Sequence, residues 1–85
     1  MMYQESFIQS EAERLGQIIA GMQHTSVNGQ DVVYITPEEF TDIRREFPPQ
    51  VYSPMQRAAR DDKNSIKGAI FKIGATFVCD KRMAA

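Results

Sequence analysis

Cysteine is all but missing from these 85 residues, Cys79 being the single one. That excludes a framework of disulfides within the chain and suits a reducing cytosol. Tryptophan is absent, His24 is the only histidine, and no CxxC, HxxxH or HxxE spacing occurs. A metal centre is therefore not expected, since it would have to combine His24 and Cys79 with scattered carboxylates. No apolar run approaches the roughly 18 residues that cross a membrane. The opening MMYQESFIQSEAER lacks the basic and apolar stretches of a secretory signal. A cytoplasmic protein with no membrane partner is expected. Linkers, repeats and low-complexity tracts are also absent, so residues 1–85 read as one small domain. A chain of this length buries only about 60–65% of the surface its unfolded form exposes, which leaves a thin core.

Bases are scarce in the first half. Arg14 is the only one among residues 1–43, against the seven acids Glu5, Glu11, Glu13, Asp31, Glu38, Glu39 and Asp42, a net of −6. Residues 44–85 reverse this, with nine bases against Glu46, Asp61, Asp62 and Asp80, a net of +5. The formal net charge of −1 hides the polarity. Such asymmetry marks a surface for an oppositely charged partner without naming it.

Periodicity predicts a first helix over residues 6–22, with Ile8, Ala12, Leu15, Ile19 and Met22 at spacings of 4, 3, 4 and 3 and Ile18 widening the stripe. Either Ser6 with Gln9 or Ser10 with Glu13 supplies a capping box. Gly21 marks the end, because glycine costs about 1 kcal/mol inside a helix. The stripe fits a local core, and it also fits two heptads pairing with a second copy. Asn28-Gly29 then signals a type I′ turn between strands at Thr25–Val27 and Asp31–Ile35. Thr36, Pro37 and Glu39 form a helix start, with Phe40, Ile43 and Phe47 on its buried face and Pro48-Pro49 ending it. Ser53-Pro54 repeats the cap-and-proline pattern, giving a short third helix to about Arg60. Asp61 to Asn64 is a polar connection. From Ile66 to Cys79 the chain reads as a hairpin bending at Gly74, or as one long strand with a glycine bulge. The expected fold class is α+β, two or three helices packed on a small antiparallel sheet with a C-terminal hairpin. One core is expected to hold Leu15, Ile19, Phe40, Ile43, Phe47, Phe71 and Phe77.

Little in the chain invites catalysis. Lys81 and Arg82 stand close enough to Cys79 to activate it, yet Cys79 falls on the apolar side of its strand and reads as a buried, inert thiol. Glu38 and Glu39 diverge by about 100° on a helix, so they complement its dipole better than they form an acid–base pair. Neither an enzyme nor a cofactor is expected. The candidate binding residues are Arg57, Arg60, Lys63, Lys67, Lys81 and Arg82, with Lys72 beside them. Arg57 and Arg60, three apart, share a helix face. Together these bases form either a phosphate-tracking stripe or a face for a protein partner. A sequence pI of about 5.7 and the look of Phe71 and Phe77 as core residues weigh against nucleic acid.

The stretch GAIFKIGATFVCDKRM, through Phe71, Gly74, Phe77, Val78, Asp80 and Met83, resembles the closing hairpin of many small bacteriophage-encoded proteins, and TPEEF fits the same style. The resemblance covers about a fifth of the chain. It implies a phage or prophage origin and a non-enzymatic accessory or virion role, in the host cytoplasm or the virion. On this reading the partner is a host or virion protein, nucleic acid is the alternative, and a homodimer is expected from the thin core and the halves of opposite charge.

Overall fold

The computed structural model describes residues 4–84. It contains α1 (Glu5–Ala20), β1 (His24–Val27), β2 (Gln30–Ile35), α2 (Pro37–Glu46), α3 (Pro49–Asp61), β3 (Ala69–Ile73), β4 (Thr76–Asp80) and a closing 3₁₀ turn, Lys81–Met83. The α+β class and the C-terminal hairpin stand as the sequence reads. The sheet, however, is mixed. Its strand order is β1-β2-β4-β3, with β2 and β4 parallel and the two outer pairs antiparallel.

The composition of β4 explains the mixed sheet. Phe77, Val78 and Cys79 are three consecutive side chains with no exposed surface. A strand buried on both faces belongs in the middle of a sheet, where its neighbours satisfy both backbone edges. Val32 and Val33 of β2 are likewise both buried, and these two strands lie side by side in the register Val32 with Phe77 and Val33 with Val78. Two hydrophobic clusters result. On one face Val33, Ile35, Phe71 and Val78 meet Leu15 and Ile19 of α1, Ile43 of α2, Phe47 and Val51. On the other, Val32, Phe77 and Cys79 pack with Ala59 of α3, and Ile66 closes over them. Phe77 thus lies apart from the single core expected for it. Alternation along Phe71, Ile73, Ala75 and Phe77 is broken by the bend at Gly74-Ala75, which turns Phe77 to the face opposite Phe71.

Local chemistry accounts for the element ends. Asn28 and Gly29 both take positive φ, +53° and +78°, as a type I′ turn demands. At the start of α2, Thr36 Oγ1 accepts from the Glu39 amide at 3.1 Å, and Glu39 Oε1 accepts from the Thr36 amide at 2.8 Å. α1, by contrast, has no side-chain cap: it starts after Gln4, so neither serine box forms. α3 starts at Pro49, four residues before the serine that the sequence pattern favours. Pro49 at the first helical position has no amide to leave unsatisfied. Pro54 falls inside the helix and cannot bond the Gln50 carbonyl, but both residues are exposed and water can take that carbonyl.

The α1 stripe is used within the chain. Leu15 and Ile19 are buried, and Ile8, Ala12 and Met22 pack around them, while Ile18 lies off the stripe and is exposed. That face is therefore not free to make a two-stranded coiled coil. α3 contributes Val51 to one cluster and Ala59 to the other, so it bridges the two faces past the edge strand β3. Tyr52 of α3 and Phe40 of α2 both meet the Phe71 ring edge-on, at 6.3 and 5.5 Å between centroids.

Candidate functional site

Folding mixes the two charged halves. Arg14 of α1 pairs with Glu11 at 2.9 Å and reaches Glu46 of α2 at 3.3 Å, and its guanidinium lies 4.3 Å from the centre of the Phe47 ring. Arg45 lies 3.8 Å from Asp42, and Arg44 covers the Phe40 ring. Lys72 is the base most clearly withdrawn from the surface stripe. It is half-buried, bonded to Asp62 and 5.2 Å above the centre of the Phe77 ring. That bond is the main reason the Asp62 carboxyl titrates below its usual range.

The six candidate binding residues are all exposed. Val51, Met55 and Ala59 hold the inner side of α3 against the clusters, which turns Arg57 and Arg60 outward. A surface groove of about 400 Å³ runs along this outer side, lined by Pro49, Gln50, Ser53, Pro54 and Arg57. Lys63 and Lys67 lie in the connection from α3 to β3. The amide of Asp80 donates to the carbonyl of Gly68 at 2.9 Å, which ties the residue after Lys67 to the residue before Lys81. Lys67 and Lys81 are brought together in this way, although they are far apart in the chain. Arg82 and Arg60 are partly neutralised. Arg82 Nη2 lies 2.7 Å from Asp80 Oδ2 and Arg60 Nε lies 3.1 Å from Asp61 Oδ1. Among the described residues, no carboxylate lies within ion-pair distance of Arg57, Lys63, Lys67 or Lys81.

Cys79 has no exposed surface, and burial pushes its thiol up to about 11. At neutral pH it is protonated and packed among Val32, Ala59 and Phe77, the buried thiol read from the sequence. Among the described residues no group of three or more histidine, cysteine or acidic side chains could hold a metal ion, and no helix is long and apolar enough to cross a membrane.

One polar cluster escapes the sequence reading. His24 Nδ1 lies 2.9 Å from Asp31 Oδ2, its Nε2 lies 2.9 Å from the carbonyl oxygen of Ile19, and the Thr76 hydroxyl donates to the same Asp31 oxygen at 2.6 Å. The signal for half of it was present. An Asn28-Gly29 turn sets Ser26 opposite Asp31 and His24 opposite Val33, which makes His24 and Asp31 diagonal neighbours on one face. Thr76 arrives through the parallel pairing of Asp31 with Thr76, which no local pattern announces.

Compared with protein-family models, with curated proteins and with solved structures, the chain matches none.

Proposed function

We propose that the chain is a non-enzymatic protein-binding module, a phage or prophage accessory or structural protein, that receives an acidic host or virion protein on the outer face of α3. The observation that carries this reading is Arg57. It is exposed on the rim of the α3 groove with no carboxylate in ion-pair distance among the described residues, so its charge is available to a partner. Arg60 follows three residues later, and Lys63 and Lys67 extend the basic character beyond the helix. Two proline rings, an amide and a hydroxyl line the groove, a mixture that suits an extended peptide carrying carboxylates. A groove on α2 is rimmed by Glu38 and Asp42 as well as Arg45 and offers no charge of one sign.

Nucleic acid is the second reading of the same bases. Against it, Asp61 sits beside Arg60 and Asp80 beside Arg82, and a long polyanion would meet those carboxylates as well as the arginines. Pull-down from host lysate, with and without nuclease, separates the two when wild type is run beside Arg57→Ala/Arg60→Ala. The expected result is a protein that stays captured after nuclease treatment and is lost with the double variant. Capture that disappears with nuclease would overturn the protein-binding reading in favour of nucleic acid.

A further inference from the structure

Both ring nitrogens of His24 face oxygen atoms that accept. Nε2 meets the Ile19 carbonyl, which has no proton to give, and Nδ1 meets the Asp31 carboxylate, whose Oδ2 also receives the Thr76 hydroxyl. A neutral imidazole carries one N–H and one lone pair. It could satisfy only one of these acceptors and would turn its lone pair on the other. The geometry therefore calls for the doubly protonated ring. Three segments converge there: the last turn of α1 through Ile19, the β1–β2 hairpin that follows it through His24 and Asp31, and, from far along the chain, β4 through Thr76. A positive ring at the end of α1 also meets the negative end of the helix dipole.

We propose that His24 is a pH-sensitive clamp, which holds the end of α1 to the sheet while its ring carries both protons and releases it when one is lost. The charge acting on the ring comes from Asp31 of β2. α1 contributes the backbone of Ile19 and Ala20, and β4 contributes the Thr76 hydroxyl through Asp31. Those contacts, led by the Asp31 hydrogen bond, raise the His24 pKa above its ordinary 6.5, and Asp31 is correspondingly lowered, first by Thr76 and then by His24. A raised folded pKa means that the clamp is fully closed below 6.5 and opens as pH rises through the folded value. Because the ring is partly exposed, the opening is local. Its reach is the α1 end, where the Gly21 and Met22 amides bond back to Gln17, Ile18 and Ile19.

The sole histidine gives an unambiguous probe. Nitrogen-15 NMR of the full chain is expected to find both ring nitrogens protonated at pH 6, with one titration centred above 6.5. Hydrogen exchange at Gly21 and Met22 is expected to lose protection through that same titration, beyond the ordinary base-catalysed rise. In His24→Gln the protection should be independent of pH between 6 and 9. Asp31→Asn should return the ring toward its ordinary pKa, a readout that survives even if His24→Gln folds poorly. A single-tautomer neutral ring at pH 6, or a wild type whose Gly21 and Met22 protection ignores the His24 titration, would overturn the proposal.

Discussion

Phe71 and Phe77, six residues apart on the two arms of one hairpin, point to opposite faces of the sheet, and neither has any exposed surface. Each therefore anchors a separate cluster. Phe71→Ala and Phe77→Ala should both destabilise the domain by about 3–5 kcal/mol, a large share of the 5–15 kcal/mol typical of whole domains. Urea unfolding measures both. A near-neutral Phe77→Ala would mean that the smaller cluster is a surface feature and not a second core.

The reciprocal cap at the start of α2 makes a smaller claim. Thr36→Ala leaves the Glu39 amide without its partner and should cost about 1 kcal/mol, whereas Thr36→Ser keeps an accepting oxygen and should cost much less. Equal loss from both variants in a thermal melt would show that the methyl of Thr36, and not its hydroxyl, matters.

Gly68 has φ +84°, and a Cβ built there would stand 2.6 Å from Met83 Cβ. Gly29 also has positive φ, but open space surrounds it. Gly29→Ala should cost roughly the 1–2 kcal/mol of placing a side chain in the left-handed region. Gly68→Ala should cost clearly more, because its Cβ must also push Met83 away, next to the hydrogen bond that ties Gly68 to Asp80. Equal costs in parallel urea titrations would dismiss the Met83 contact.

The elements were legible wherever local chemistry decides them. Asn28-Gly29, Thr36-Pro37-Glu38-Glu39 and Pro48-Pro49 act over a few residues, and each does in the structure what its residues dictate. Strand order was not legible, since pairing of Val32 with Phe77 is settled by which side chains can be buried on both faces at once. The clue was there in Phe77-Val78-Cys79, a continuous apolar run that reads as a central strand instead of half of an edge hairpin. Taking the second arm of the hairpin as paired with its first arm alone left no place for the parallel neighbour β2. The same non-local step explains the site. Exposure of Arg57 followed from helix periodicity, but the bonding of Lys72 to Asp62 depends on how the end of α3 packs against β3.

Acid should weaken the fold through four carboxylates. Glu11 is held below its ordinary range chiefly by Arg14, Asp31 by Thr76, Asp62 by Lys72 and Asp80 by Arg82. Each folded pKa lies below the unfolded value, so the stabilisation is complete above about 4.5 and is lost as pH falls through the folded values. Unfolding free energy measured from pH 6 down to pH 2 should fall, and Asp62→Asn should flatten part of that slope. An unchanged slope in Asp62→Asn would remove the Lys72 pair from the account.

Salt dependence tests whether the bases are equal. The Arg82 guanidinium already makes three contacts to the carboxylate of Asp80, while Arg57 has no carboxylate in ion-pair distance among the described residues. Toward a polyanion such as a DNA duplex, used purely as a charge probe, each phosphate neutralised contributes about −0.9 to the slope of log affinity against log salt. Arg57→Ala should make the slope shallower by nearly one such unit. Arg82→Ala should change it far less, because Arg82 is already paired with Asp80 and has little charge left to neutralise a phosphate. Expected alongside is weak binding by the wild type at physiological salt, since Asp61 and Asp80 lie within the basic surface. Equal slope changes for the two variants would mean that the internal ion pair of Arg82 opens readily. The binding face would then extend from α3 to the closing 3₁₀ turn.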